Sequence, residues 1–352
     1  MDLSSPPAGA SFPRHRLDEA HRPHCCHPRV SNPILSFRRF LCVSVLFIVA
    51  VASAEEADST IGPDYTDAPE TKAQPGVPAG EVHQFVMESK DSAIYPGIAK
   101  KQPGVVPYQR KVAVYVPAGH RPSKEMPFII VQDGMGYKDL MTRVLDNMIT
   151  EKRLPAMVAV FISSGGGDSK GSQRGLEYDT VSGTYTRFIE QEVLPKISKD
   201  YKIKFTTNPE GRATMGGSSG GAAAFTMAWF HPELYRRVLS YSGTYVDQQF
   251  PENPESPNGA WEYHEKLIPA AERKPLRVWL EVSEEDNGWD KEENTHHNWV
   301  LANQRMAAAL KAKGYAYRYV FAANAGHVDR KVTRQTLPAA LEWLWEGYPG
   351  TR

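Results

Sequence analysis

The sequence is poor in cysteine, with only Cys25, Cys26 and Cys42 in 352 residues. Everything after residue 42 is therefore without a disulfide, a thiol nucleophile or a thiolate metal ligand. Excess charge of one sign is also missing, since 41 Lys/Arg balance 41 Asp/Glu. No long-range field draws the chain to nucleic acid, and a nucleic-acid partner is not expected. No segment repeats at a fixed period, which sets aside solenoids and propellers. The cluster His24-Cys25-Cys26-His27 places its ligands side by side, a spacing that no usual zinc site has. No metal is expected there.

What is present begins with a targeting pattern. Residues 37–55 read FRRFLCVSVLFIVAVASAE. Arg38 and Arg39 give a positive flank, an apolar run follows, and Ala52-Ser53-Ala54 ends it with small residues. That is the layout of a secretory signal peptide cut after Ala54. The run is about a dozen residues, short for a bilayer anchor, so no stable membrane insertion is expected once it is removed. The predicted localisation is export, periplasmic or secreted. Residues 1–36 are long for the leading part of such a peptide, and we expect a start codon placed upstream of the true one. Roughly 300 residues remain, enough for one domain to bury about three quarters of its unfolded surface.

Residues 55–82 are acidic and rich in proline, with few large apolar side chains. The composition predicts a flexible linker, because little burial offsets the entropy of ordering it. The folded domain is then expected over 83–352. Within it, 110–117 alternates at period two, as a half-buried strand does. Segments 127–132 and 157–162 are continuous apolar runs, the mark of strands covered on both faces. Strands are also expected over 212–215, 238–241, 277–282 and 315–321. Helices are expected over 137–152, 180–200, 298–313 and 337–345. This alternation predicts an α/β fold with a mostly parallel central sheet and helices on both faces. The active site of such a fold lies at the carboxyl ends of its strands.

Met215-Gly216-Gly217-Ser218-Ser219-Gly220-Gly221 falls between a strand and the helix AAAFTMAWF. G-x-S-x-G in that setting is a nucleophile elbow, the turn of the α/β-hydrolase fold that holds a serine exposed. Both Gly216-x-Ser218-x-Gly220 and Gly217-x-Ser219-x-Gly221 match. The doubled glycine after the pair leans towards Ser218, and spacing alone does not decide. Phosphate-binding GxxxxGK[ST] is excluded because no lysine follows.

A serine nucleophile needs a base and a group to orient that base. In this fold the acid and then the histidine follow the serine in chain order. His83 and His120 precede the elbow and drop out. His231 lies at the far end of the elbow helix, and His264, His296 and His297 follow no strand. His327, in the loop after 315–321, is the remaining base. Glu284, Glu285 and Asp286 compete as the acid after 277–282. His296 and His297 with Asp290 or Glu292 match no metal motif such as HExxH.

With these pieces in view, the chain resembles the esterase family that holds enterochelin esterases, feruloyl and acetylxylan esterases, and mycolyltransferases. The resemblance spans roughly 100–347. It rests on Gln132-Asp133-Gly134, Arg174-x-x-Glu177-Tyr178, Glu192-Val193-Leu194-Pro195 and Gly216-x-Ser218-x-Gly220-Gly221. Asp286-Asn287, Asn303-Gln304 and Gly326-His327 complete it. The enterochelin esterase-like branch implies Ser218 as nucleophile, Asp286 as acid and His327 as base. The oxyanion donors would then be the N–H of Ser219 and that of Gly134 or Met135. Arg174, Glu177 and Tyr178, in a Gly-rich loop over 164–180, are expected to border the substrate. Loops 164–180 and 244–270 are expected to shape the pocket.

The implied reaction is hydrolysis of a carboxylic ester, small-molecule or glycan-linked, through an acyl-enzyme that needs no cofactor. An acyltransferase of the same family and a non-catalytic binding protein on the same fold are the rival readings.

Overall fold

A computed structural model of the chain describes residues 57–98, 105–168 and 170–351. The predicted N-terminal extension, signal peptide and cysteines lie outside the described residues. The strands are β1 Asp58–Ile61, β2 Glu81–Glu88, β3 Gln109–Val116, β4 Glu125–Met126, β5 Phe128–Gln132 and β6 Val158–Ile162. They continue as β7 Lys204–Phe205, β8 Arg212–Gly217, β9 Arg237–Tyr241, β10 Arg277–Glu285 and β11 Ala316–Gly326. The helices are α1 Lys138–Thr150, α2 Gln173–Tyr178, α3 Thr184–Phe188 and α4 Leu194–Tyr201. After the elbow come α5 Ser219–Phe230, α6 Ile268–Ala270, α7 Trp299–Ala312 and α8 Arg330–Trp345.

Nine strands form one sheet in the order β1-β11-β10-β9-β8-β5-β6-β3-β2. All neighbours from β1 to β6 pair parallel, and β3 pairs antiparallel with both β6 and β2. Strands β5 and β6 are buried at every position, as expected of runs with no polar alternation. Phe128 and Ile130 of β5 pack towards α3, α4, α5 and α7, where Phe188, Ile197, Phe225 and Met306 meet them in one core. Ile129 and Val131 point the other way, into a second core with Met141 and Leu145 of α1 and Leu337 and Leu341 of α8. The expected α/β architecture is therefore present, one helix layer on each face. Period two along the strand sends alternate side chains to opposite cores.

Prolines account for two departures from the expected helices. The helix expected over 180–200 is divided into α3, a π turn Ile189–Val193, and α4. Pro195 sits in the first turn of α4, has no N–H to donate and crowds the preceding turn, so the helix widens there. The helix expected over 337–345 instead begins at Arg330 and carries Pro338 inside it. Pro338 cannot bond the Arg334 carbonyl, which accepts the Ala68 N–H at 3.1 Å instead.

That bond belongs to the segment expected to be a flexible linker, and the structure corrects that expectation for 57–82. Strand β1 pairs parallel with β11 at the sheet edge. Tyr65 Oη donates to the Ala323 carbonyl at 2.6 Å, and Asp67 pairs with Arg334. Asn147 Nδ2 donates to the carbonyls of Glu70 and Lys72, both at 2.8 Å. Composition failed here because the segment is held mainly by backbone and charged groups, with Ile61 and Tyr65 adding only a small apolar contact. The ordered domain accordingly starts before residue 83.

Candidate active site

Strand β8 ends at Gly217 and α5 begins at Ser219. Between them Ser218 takes φ 57° and ψ −131°, a conformation that costs a non-glycine residue about 1–3 kcal/mol. The turn is over-determined by its hydrogen bonds. Ser218 N–H donates to the Tyr241 carbonyl at 2.9 Å, and its own carbonyl accepts Gly221 N–H at 2.9 Å and Thr244 N–H at 3.0 Å. A Cβ on Gly216 would stand 2.3 Å from the Gly220 carbonyl, so the two glycines flanking Ser218 exist to let backbones touch. Ser218 is partly exposed whereas Ser219 is wholly buried, so of the two registers left open by spacing only the first leaves its hydroxyl reachable.

Ser218 Oγ lies 2.8 Å from His327 Nε2, and His327 Nδ1 lies 2.5 Å from Asp286 Oδ1. His327 follows β11 and Asp286 follows β10, neighbouring strands whose register slips between Ser283 and Glu285. A bulge of that kind re-aims the side chains after it. Glu284 and Glu285 are exposed, while the Asp286 carboxylate is fully buried. Asp286 Oδ1 also accepts Asn287 N–H at 2.7 Å. Of the three competing acids, Asp286 alone reaches His327.

Three further side chains, two of them outside every motif named in the sequence, support this line. Thr244 Oγ1 sits 3.3 Å from Ser218 Oγ and accepts Trp299 Nε1–H at 3.1 Å. The Trp299 ring meets the His327 ring edge-on at 6.3 Å. Asn303, buried, donates from Nδ2 to the Gly243 carbonyl at 2.9 Å, so the Asn303-Gln304 match marks a brace behind Thr244. No short motif ties Thr244 and Trp299 to Ser218, since they lie on separate elements after β9 and β10.

Ser218 and His327 open into a cavity of about 840 Å³, within the range of small-molecule sites. Its walls come from Met135, Tyr137 and Leu140 on one side and Val328, Arg330, Thr333 and Arg334 on the other. Asp168 and Arg174 line it, as expected of loop 164–180, and no residue of 244–270 does. Met135 lines the cavity, whereas Gly134 is buried, with Phe161 leaving no room for a Cβ. Of the two candidates for the second oxyanion donor, Met135 is the one that lines the cavity.

The substrate-binding trio separates. Arg174 reaches the cavity, holding Asp133 Oδ2 from Nε at 3.1 Å and Nη2 at 2.7 Å, and Asp168 from Nη1 at 2.6 Å. Glu177 and Tyr178 do not reach it, each being 1% exposed. All three lie in helix α2, where residues three and four apart share a face, and only the long Arg174 side chain extends to the cavity while Glu177 and Tyr178 stay in the core. There its carboxylate forms a two-pronged pair with Arg110 at 2.7 and 2.6 Å and accepts Tyr108 Oη–H at 2.9 Å. Tyr178 Oη accepts the Asp133 N–H at 3.3 Å, steadying the loop after β5. Glu177→Gln is expected to lower unfolding free energy by about 3–5 kcal/mol, because it strands the Arg110 charge. KM should stay put. A raised KM with stability unchanged would return Glu177 to the substrate.

Two buried carboxyls flank the site. Burial and the neighbouring Asp286 push Glu281 of β10 up to about 8, against the pull of the Ser283 hydroxyl. Burial likewise pushes Asp179 up to about 7, with the Ser219 hydroxyl and Arg174 pulling back. For Glu281 the folded value lies above the ordinary 4.5, so the folded chain holds a proton that the unfolded chain has lost. Stability is then full below about pH 4.5 and falls as pH rises towards 8. Glu281→Gln is expected to gain a few kcal/mol at pH 9 and little at pH 5, at about 1.4 kcal/mol per pKa unit. Denaturant titrations at both pH values test this; equal changes at the two would reject it.

Among the described residues no group of three or more His, Asp or Glu could hold a metal ion, and no helix is long and apolar enough to cross a membrane.

The family model described as "Putative esterase" matches residues 105–344. The chain belongs to this esterase family. Its relatives include the uncharacterized protein YbbA of Bacillus subtilis, 22% identical over 67% of this chain and 92% of that protein. Among solved structures, the enterobactin esterase of Shigella flexneri superposes with a TM-score of 0.54 at 22% identity, over 78% of this chain. The chain spans only 61% of that enzyme's length. A ferulic acid esterase of the anaerobic fungus Anaeromyces mucronatus superposes with a TM-score of 0.56 at 14% identity, over 82% of this chain and 98% of its own. At these identities the solved enzymes support the fold, and the family match carries the assignment to esterases.

Proposed function

We propose that this esterase-family chain hydrolyses a carboxylic ester through a serine-bound acyl intermediate. The observation that carries the reading is the unbroken line from Asp286 through His327 to Ser218, at 2.5 and 2.8 Å, opening into one cavity. Ser218 Oγ attacks the ester carbonyl while His327 Nε2 takes its proton. Asp286 holds His327 Nδ1–H, fixing the tautomer that leaves Nε2 free and stabilising the imidazolium that forms. The N–H groups of Ser219 and Met135, at the start of α5 and in the turn after β5, face the developing oxyanion. His327 returns the proton to the leaving alcohol, and water, activated by the same imidazole, releases the acid.

The substrate we favour is a small-molecule or glycan-linked ester with one acyl unit seated in the cavity. The solved Shigella enzyme was studied with enterobactin and the Anaeromyces enzyme with ferulic acid, and both classes belong in a first panel. Arg174, at the cavity wall, would hold a polar group of the substrate. The pattern over 37–55 supports an exported, periplasmic or secreted enzyme.

The test is labelling with a fluorophosphonate probe, mapped by peptide mass spectrometry, followed by the ester panel with and without added alcohols. Label on Ser218 with release of free acid supports the hydrolase. Preferential transfer to the alcohols would favour the acyltransferase. Folded protein that takes no label sinks the reading.

A further inference from the structure

The proposed reaction leaves one buried carboxyl beside the site unused. Asp179 caps the end of α2, is 3% exposed, and its Oδ1 has no hydrogen-bond partner. Helix α2 packs against α5. The Ser219 hydroxyl, wholly buried and also without a hydrogen-bond partner, lies beside the carboxyl, near enough to favour its charged form without completing a bond.

Three charged groups face Asp179 from the elements around it. Arg174 comes from α2 itself, Asp168 from the loop before α2, and Asp133 from the loop after β5. The one cation, Arg174, is already bonded to the other two carboxylates. Asp179 therefore shares its counter-charge with two other carboxylates, and the N-terminal turn of α5, which carries Ser219, is the further group that can steady its anion. Unbonded N–H groups there attract any negative charge. The oxyanion of the proposed reaction needs that same turn, through the N–H of Ser219.

We infer that Asp179 is a positioning residue for the oxyanion hole, serving the reaction in its neutral form and opposing it when ionised. Neutral, it leaves the start of α5 to the oxyanion. Ionised, it puts a second negative charge behind Ser219, where two anions compete for one positive helix end. Turnover should then fall as Asp179 loses its proton. With the carboxyl balanced at about 7, that fall lies within the working range of most esterase assays. The inference rests on Ser218 being the nucleophile.

The test is the rate of fluorophosphonate labelling of Ser218 across pH 6–10 in the purified chain, alongside kcat/KM on a chromogenic ester. Wild type is expected to fall by about tenfold per pH unit above the transition. Asp179→Asn should remove the descending limb and keep its rate at high pH. A carboxyl with a merely structural role would leave the shape of the profile unchanged. Ser219→Ala gives a second arm in case the first variant fails to fold. Losing the hydroxyl that favours the charged form, it should move the descending limb to higher pH. A limb that survives Asp179→Asn, or one that Ser219→Ala leaves in place, overturns the inference while the nucleophile stands. No label at any pH on folded wild type overturns the nucleophile and this inference together.

Discussion

Replacing Ser218 by alanine is expected to lower kcat by about 10⁴- to 10⁶-fold, the span seen when a serine nucleophile is removed from an intact triad. The side chain is small and partly exposed, so the loss should come without loss of fold. Removing Oγ leaves the strained turn to a methyl group. Alanine tolerates φ 57° no better than serine, and the backbone bonds to Tyr241 and Thr244 remain. Thermal stability should therefore change little. His327→Ala should cost a similar factor, and the double variant hardly more, because the two residues act on one proton transfer. Steady-state kinetics of the two single variants and the double variant check this. Losses that multiply would mean that the residues do not work as a unit.

Asp286→Asn is the second large effect, about 10⁴-fold in kcat. Asparagine fills the same buried space and keeps the bond from Asn287 N–H through its carbonyl oxygen. What it loses is an acceptor of full charge 2.5 Å from His327 Nδ1. The amide can present its NH₂ to that nitrogen and stabilise the tautomer with the proton on Nε2, where it cannot accept from Ser218. Glu284→Gln and Glu285→Gln should be close to wild type, since both side chains are exposed and neither bonds His327. Measuring kcat for all three variants separates the acids. A large loss at Glu285 with none at Asp286 would reassign the role.

These two predictions rest on different parts of the sequence. The elbow was legible because its chemistry is local. Two glycines around one serine, a strand before and a helix after, all fall within a dozen residues. His327 stood out by elimination, because chain order removes His83 and His120 and placement removes His231, His264, His296 and His297. The choice between Ser218 and Ser219 needed the resemblance at the sequence level, and in three dimensions the turn exposes the first side chain and buries the second. Glu177 and Tyr178 were misread for a related reason. A Gly-rich stretch looks like a loop bordering the site, yet 173–178 coils into α2, and on that helix only the long Arg174 side chain extends to the cavity while Glu177 and Tyr178 stay in the core.

The linker over 57–82 was lost because composition counts apolar area. That segment is held by strand pairing with β11, the Asp67–Arg334 pair and the carbonyl freed by Pro338. Thr244, Trp299, Asp179 and Glu281 were invisible for a different reason. Each matters only through a neighbour far along the chain, and no periodicity records that.

The sequence by itself determined the alternation of strands and helices, the elbow, the order of the reactive groups and the family, because each is written in short-range pattern or in chain order. The tertiary structure alone decided which acid meets the histidine, which residues wall the cavity, and which carboxyls are buried beside the site. Those outcomes depend on distance, desolvation and the aim of side chains across strands that the chain brings together only when folded.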